Sequence, residues 1–385
     1  MGQEQLHSQA FEQRFYASDE TVYATWVRPA ATDAFKALQV TIDAKQAQRP
    51  RRDNRVTRGD YELILGDLDV SWTAKGFLVP SGAAGTAPDW DIILRTALGA
   101  RTTVGGVSVT YDPSFAQGDH GSFSLHRWAA VSGESAYGCW VDNFKLTVNG
   151  SDEPRVEASG GASNYVFTGA STIPSGTTSA NQTVASADQN SFMANSLVRI
   201  GANTNSGTGF RVVSRAGAVL TLESSMTSTT ADDVLPYMPL ETTAGSPASG
   251  IDGSLTLDGT NYGAWTAFEM NVKNNMKPQR HALNAYVQDY TEGWQEVTGT
   301  VTVKMRRDMA RLLGWRLNAI TTARDVQLII GSVAGSIITV NMDRTRLEGG
   351  PINFPEGADE AEVQIPWKAL ESTASSSDGF NIAFT

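Results

Sequence analysis

Cysteine, histidine and charge are all scarce in this sequence. Its 385 residues include one Cys and four His, and charged residues make up only 18%, below the roughly 25% of an average soluble protein. A single Cys excludes an internal disulfide framework and a thiolate zinc site. No apolar run reaches the length of a membrane-spanning helix. The polar N-terminus lacks the apolar core of a signal peptide, so we expect synthesis and use in a cytoplasm, or release without secretion.

Basic residues are fewer than acidic ones. The chain has 30 Lys and Arg against 41 Asp and Glu, a formal charge of −11. Proteins that scan nucleic acid are normally basic, so this balance disfavours such a role. Nine Trp, ten Tyr and fourteen Phe argue against intrinsic disorder. The length predicts two or three domains.

Alternating apolar and polar residues indicate a chain rich in β-strands. The pattern occurs at 38–42, 144–148, 219–222, 255–257 and 301–303. The apolar stretch 326–340 contains two glycines and predicts a hairpin of two strands.

Two short helices interrupt the predicted strands. One is expected to follow Asp89, as its capping residue, and to end at Gly99. The other is expected over 307–315.

A Ser- and Thr-rich stretch at 170–187 predicts a linker. A compact all-β module is expected next, at 196–239, and 244–250 predicts a second linker.

The segments on either side of this insert share a pattern, which indicates a duplication. Residues 37–50 align with 267–280, and 65–72 align with 298–305, so that Gly66 corresponds to Gly299. In both copies the order is strand, long basic loop, strand, helix and strand pair. The predicted organisation is therefore an N-terminal arm (1–32), a first β domain (33–170), linkers with the module (171–249, core 190–240) and a second β domain (250–385).

Two sequence runs in the second copy resemble the major tail tube proteins of long-tailed, siphovirus-type phages. They are AFEMNVKNNM at 267–276 and GWQEVTGTVTVKMRRD at 293–308. The first copy has a looser version, LGDL at 65–68, and SDETVYATWVRP at 18–29 is similar to the arm that precedes the barrel in that family.

The resemblance implies a β-sandwich or barrel with one helix per domain. Six such domains would form a ring around a β-barrel lumen, and rings would stack into a tube that conducts DNA during ejection into the host. With two tube domains per chain, three chains would complete a ring. The implied partners are other copies, the tape-measure protein, and the tail terminator and distal tail proteins. The chain would be a virion protein made in the host cytoplasm, with DNA passing without specific binding, no membrane contact, and the module on the outside of the tube.

Charged residues supply the candidate contact sites. The basic loop at 48–59 and its counterpart in the second copy are expected to contact an acidic surface of the next ring, with DNA binding and simple solvation as alternatives. These candidates are Arg49, Arg51, Arg52, Arg55, Arg58, Lys277 and Arg280. Acidic counterparts are Glu356, Asp359, Glu360 and Glu362. The candidate lumen-facing acids are Asp67, Asp69 and Glu296, because a conduit for DNA should be neutral or acidic.

Catalytic and metal signals are weak, so we expect no enzyme, no cofactor and no metal. His120 and His126 are six residues apart, about 20 Å on a strand, and are interpreted as polar strand or turn residues. Cys139 lies between aromatic residues and predicts a buried thiol. No phosphate loop or nucleophile elbow occurs. A β-rich surface adhesin or an array of carbohydrate-binding modules stays open as the alternative.

Overall fold

The computed structural model describes most of the chain. It covers residues 12–51, 62–114, 120–150, 152–242, 245, 247–248, 250–257, 259–281, 284–305, 324–347, 352–353, 361–370 and 379–385. These residues are mostly in strands. The prediction of a mainly β, tube-type fold is therefore confirmed.

Twelve strands and one α-helix precede the predicted module core. They are β1 (Arg14–Glu20), β2 (Gln39–Arg51), β3 (Glu62–Phe77), α1 (Asp91–Leu98), β4 (Gly99–Val104), β5 (Ser108–Pro113), β6 (Ser122–Ala129), β7 (Ser132–Cys139), β8 (Asn143–Asn149), β9 (Arg155–Ala162), β10 (Asn164–Thr168), β11 (Ser171–Thr172) and β12 (Thr178–Thr183).

The later strands complete the fold. They are β13 (Leu197–Ile200), β14 (Phe210–Ala216), β15 (Val219–Thr227), β16 (Asp233–Pro236), β17 (Ser254–Leu257), β18 (Thr260–Asn261), β19 (Trp265–Lys273), β20 (Lys277–Gln279), β21 (Asp289–Thr291), β22 (Glu296–Lys304), β23 (Arg324–Ile330), β24 (Ile338–Leu347), β25 (Ile352–Asn353), β26 (Glu362–Ala369) and β27 (Asn381–Phe384). Short 3-10 helices lie at Ala31–Asp33, Ser186–Ser191 and Gly250–Asp252.

Eight of the strands before β11 form two layers around a common core. One layer is a sheet in the order β1-β6-β7-β10, and the other is the run β2-β3-β9-β8 of a larger sheet. Trp72 of β3 and Phe123 of β6 meet edge to face between the layers, with ring centroids 5.3 Å apart. Helix α1 buries Ile93 and Leu94 in the same core.

The strands after β16 repeat this order of pairing. β17 pairs with β23, β23 with β24, and β24 with β27. In the other layer β19 pairs with β22, β22 with β26, and β26 with the last residues of β24. The long β24 thus takes the places that β7 and β8 share among the earlier strands.

A direct ladder between β8 and β19 joins the two sets of strands. It is antiparallel and runs from Ala267 opposite Asn149 to Lys273 opposite Asn143. The run β2-β3-β9-β8-β19-β22-β26-β24 is therefore continuous within one 15-stranded sheet. One core cluster extends along it and includes Phe144 of β8 and Phe268 of β19. β2 ends this run, and within the described residues it pairs only with β3.

A separate six-stranded sheet, in the order β11-β16-β13-β14-β15-β12, has its own core. It packs against the β1-β6-β7-β10 layer, where Trp128 Nε1 donates a 3.0 Å hydrogen bond to the carbonyl of Pro236. The strands predicted for 196–239 are confirmed. The linker predicted at 170–187 is wrong, because β11 and β12 are strands of this sheet. Gln182 in β12 is fully buried and donates to the carbonyl of Ser179 at 2.7 Å, so a polar sequence still forms an ordered strand.

The sequence predicted three local elements, a hairpin and two helices. The hairpin at 326–340 is confirmed as β23 and β24. Helix α1 is confirmed, but its N-cap is Trp90 and not Asp89, since the helix begins at Asp91. Gly99 ends it with a positive φ of 104°. The second helix, at 307–315, lies outside the described residues.

The ladders change one part of the sequence alignment. Val40 lies opposite Ala74, whereas Met270, its aligned partner, lies opposite Gly299. With β2 matched to β19, Gly299 therefore corresponds to Ala74 and not to Gly66. The error has a physical cause. Alternating strands match equally well at any even shift, and β3 begins eight residues before Val70, the first residue that pairs with β9.

Candidate assembly site

The first residues of the predicted basic loop belong to a two-stranded ribbon, which comprises residues 45–51 of β2 and 62–69 of β3. β3 pairs with β9 only from Val70 onward, so among the described strands the earlier residues of β3 form a ladder with β2 alone. The ladder places Arg49 opposite Ile64 and Arg51 opposite Glu62. Residues 48–51 are therefore strand and not loop. The candidates Arg52, Arg55 and Arg58 lie outside the described residues.

Three consecutive apolar residues are exposed on this ribbon. Leu63, Ile64 and Leu65 are 55%, 52% and 62% exposed. Successive strand residues point to opposite faces, so both faces of the ribbon present large apolar side chains. Contiguous apolar surface of this kind marks a site of contact with another molecule.

Arg280 joins two sets of candidate residues that the sequence placed in different roles. Its guanidinium lies 3.1 Å from Asp69 and 3.6 Å from Asp67, both on the ribbon strand β3. The backbone N–H of Leu68 also donates to the carbonyl of Ala285 at 2.8 Å. The connection between β19 and β22 (residues 274–295) therefore lies beside the base of the ribbon.

The other candidates are spread along the same sheet. Lys277 lies on β20 and is exposed. Glu296 begins β22, where Lys368 of the adjacent β26 lies 3.7 Å away. Glu362 begins β26 and is half-buried. The acidic residues Glu356, Asp359 and Glu360 lie outside the described residues.

An aromatic contact, missed in the sequence, fixes the 274–295 connection to the first set of strands. The ring of Tyr290 stacks on Trp140 at 5.7 Å and meets Tyr23 edge to face at 5.5 Å. Its hydroxyl donates to the backbone carbonyl of His120. Nearby, Ser163 Oγ donates to the carbonyl of Val287 at 2.5 Å. The density of aromatic residues at 286–294 was the available signal.

Glu20 is a second feature that sequence reasoning missed. Its buried carboxylate accepts hydrogen bonds from Ser122 Oγ and Ser124 Oγ at 2.7 Å, from the N–H of Gly138 at 2.8 Å and from that of Ala24 at 3.0 Å. Burial raises the pKa of Glu20 above its ordinary value, and these hydrogen bonds oppose that shift. The carboxylate thereby holds the turn that carries the aromatic ring of residue 23.

His120 and His126 are both buried, and His126 lies in a strand as the sequence predicted. His126 is fully buried on β6, its Nδ1 lies 2.8 Å from Ser135 Oγ, and burial lowers its pKa to about 3. His120 is also buried, with Nδ1 3.4 Å from Glu292. Cys139 is buried as predicted. Among the described residues, no three His, Cys, Asp or Glu side chains are grouped to hold a metal.

This β-rich chain matches a known family over part of its length. Residues 213–369 match the family model of the phage tail tube protein. The matched range runs from β14 to the end of β26 and so includes β19, β22 and their connection. A comparison with curated proteins found no match.

The tail tube match supports a structural, non-enzymatic role in a phage tail tube and a location in the virion tail. It also supports assembly with other phage tail components. None of the helices in the described part of the chain is long and apolar enough to span a membrane.

Proposed function

We propose that this chain is the tail tube subunit of a siphovirus-type phage. It self-assembles into stacked rings, and the tube conducts DNA into the host during ejection. The family match over 213–369 supports the tail tube role. The continuous large sheet supports ring formation.

The β8–β19 ladder is the observation that carries the proposal. It joins the last strand of the run β2-β3-β9-β8 to the first strand of β19-β22-β26-β24. The order of pairing that the two runs share supports a duplicated tube domain in the first and second units. Neighbouring chains would then pair through a ladder equivalent to the one between β8 and β19.

In this arrangement the edge strand β2 of one chain pairs with β24 and β25 of the next. β2 stands beside β3 as β19 stands beside β22, and the end of β24 stands beside β26 as β8 stands beside β9. Exposed strand edges are normally a hazard for aggregation, and closing the sheet removes them. Three chains with eight strands each give a barrel of 24 strands and a ring with sixfold pseudosymmetry.

The remaining surfaces take roles outside the barrel wall. The six-stranded module packs on the β1-β6-β7-β10 layer, on the far side from the face of the large sheet that points away from the core, so it lies on the outside of the tube. The basic segment 48–59 contacts the acidic segment 356–362 of a chain in the next ring. The tape-measure protein occupies the lumen during assembly, and tail terminator and distal tail proteins bind the ends.

Electron microscopy of the concentrated, purified protein tests this function. Rings or hollow tubes are the expected result. Strictly monomeric particles would contradict the proposal, and glycan binding by such monomers would favour the adhesin or carbohydrate-binding alternative.

A further inference from the structure

The open face of the large sheet, defined as the side of strands β2 to β24 that points away from the core, carries balanced charge. Away from the register shifts in the β2–β3 and β19–β22 ladders, core-facing and open-facing residues alternate, as in β8, where Phe144, Leu146 and Val148 are buried. Outside the tip of the β2–β3 ribbon (48–51 and 62–65), the described carboxylates on the open face are Asp43, Asp67, Asp69, Glu157, Glu269, Glu296 and Glu362, and the described basic residues are Lys45, Lys75, Lys145, Lys273, Lys304, Lys368, Arg155 and Arg346. Seven acids against eight bases leave no acidic excess, although the whole chain has a charge of −11.

These charges are paired across strands. Lys75 Nζ lies 2.9 Å from Glu157, and Lys145 Nζ lies 2.9 Å from Glu269 across the β8–β19 joint. Glu157 also lies directly opposite Lys145 in the ladder. A line of alternating charge therefore crosses four adjacent strands.

Three further pairs of opposite charge face each other across the run from β2 to β26. The ladders place Lys45 opposite Asp69, Lys273 opposite Glu296, and Lys304 opposite Glu362. At the margin, Arg346 of β24 lies opposite Lys368, which itself lies near Glu296. The positions between the charges are mainly Ser, Thr and Asn.

We propose that this face lines the lumen as a charge-neutral surface, and that double-stranded DNA slides along it because each lysine is compensated by a neighbouring carboxylate. The inference rests on the proposed tail tube function. DNA binds proteins chiefly where uncompensated Lys and Arg replace its counterions. An acidic wall would repel DNA, whereas a paired wall neither holds nor repels it. The carboxylates thus act by neutralising lysines.

The test uses tubes of the full-length protein assembled with a short fluorescent DNA duplex. The variant Glu157→Gln/Glu269→Gln removes the partners of Lys75 and Lys145 while keeping side-chain shape. The matched control, Asp233→Asn/Glu241→Gln, makes the same charge change at exposed residues in and beside the module. Pelleted fluorescence is measured over a series of salt concentrations.

Wild-type and control tubes should retain little duplex. The Glu157→Gln/Glu269→Gln tubes should retain at least about tenfold more at low salt, and this excess should vanish as salt rises. If that variant does not assemble, Glu296→Gln alone provides the same comparison through Lys273 and Lys368. Wild-type tubes that hold duplex, or variant tubes that hold no more than the control, would overturn the inference. Failure of the wild type to form tubes would instead contradict the proposed function.

Discussion

Arg280 and Asp69 form an ion pair across 211 positions of the chain, with Nη2 3.1 Å from Oδ1. The arginine comes from the connection after β19 and the aspartate from the ribbon strand β3. The pair therefore ties the second set of strands to the first at the base of the ribbon. Asp69 remains 77% exposed, and water screens such a pair.

We expect this ion pair to orient the ribbon while adding little to stability. A double-mutant cycle with Arg280→Gln and Asp69→Asn, measured by urea unfolding, should give a coupling energy below about 1 kcal/mol that decreases with salt. A coupling of several kcal/mol that persists in high salt would show that the pair is effectively buried.

Gly299 should be intolerant of a side chain. A Cβ there would lie 2.0 Å from the carbonyl oxygen of Glu269 and 2.3 Å from the indole of Trp367, which stacks on Phe268. We expect Gly299→Ala to destabilise the fold by about 1–3 kcal/mol or more. Gly263→Ala is the control, because nothing lies within 4 Å of that position. Equal melting temperatures for the two variants would contradict this packing.

His126 should make stability depend on pH in the acidic range. Burial lowers its pKa from 6.5 to about 3, so the unfolded chain takes up a proton before the folded one. The free energy of unfolding is unaffected by this shift above pH 6.5. It decreases as the pH drops toward 3, by at most about 1.4 kcal/mol per pH unit. Urea unfolding at several pH values should show a shallower slope for His126→Gln. Identical slopes would mean that this ring is protonated in the folded protein.

Charge reversal in the basic segment 48–59 should separate ring formation from stacking. The variant Arg51→Glu/Arg52→Glu/Arg55→Glu should fold and form rings, but the rings should not stack into long tubes, because like charges would then face each other. Arg211→Glu/Arg215→Glu, on the module, is the control and should form tubes. Normal tube lengths for the triple variant in electron micrographs would show that these three arginines do not contribute to the contact between rings.

The sequence predicted the elements that depend on local pattern. Alternation located β8, β17 and β22, and two glycines located the β23–β24 hairpin. It did not predict β12, because a Thr- and Ser-rich strand has the composition of a linker and gains order only from its neighbours.

Contacts between residues far apart in the chain could not be predicted from local sequence pattern. Nothing around Arg280 or Asp69 indicates that they meet, and the four donors to Glu20 come from three separate segments. Likewise, the paired charges of the open face become visible only when the strand register is known. The candidate acids at Asp67, Asp69 and Glu296 were selected as isolated charges, whereas each has a basic neighbour.

The symmetry and chain count of the assembled ring test the central claim most directly. Cryo-electron microscopy of tubes should show rings of three chains, a continuous 24-stranded barrel, and β2 of each chain paired with β24 and β25 of the next. Rings of six chains, or chains joined without a ladder at β2, would contradict the duplicated-domain arrangement.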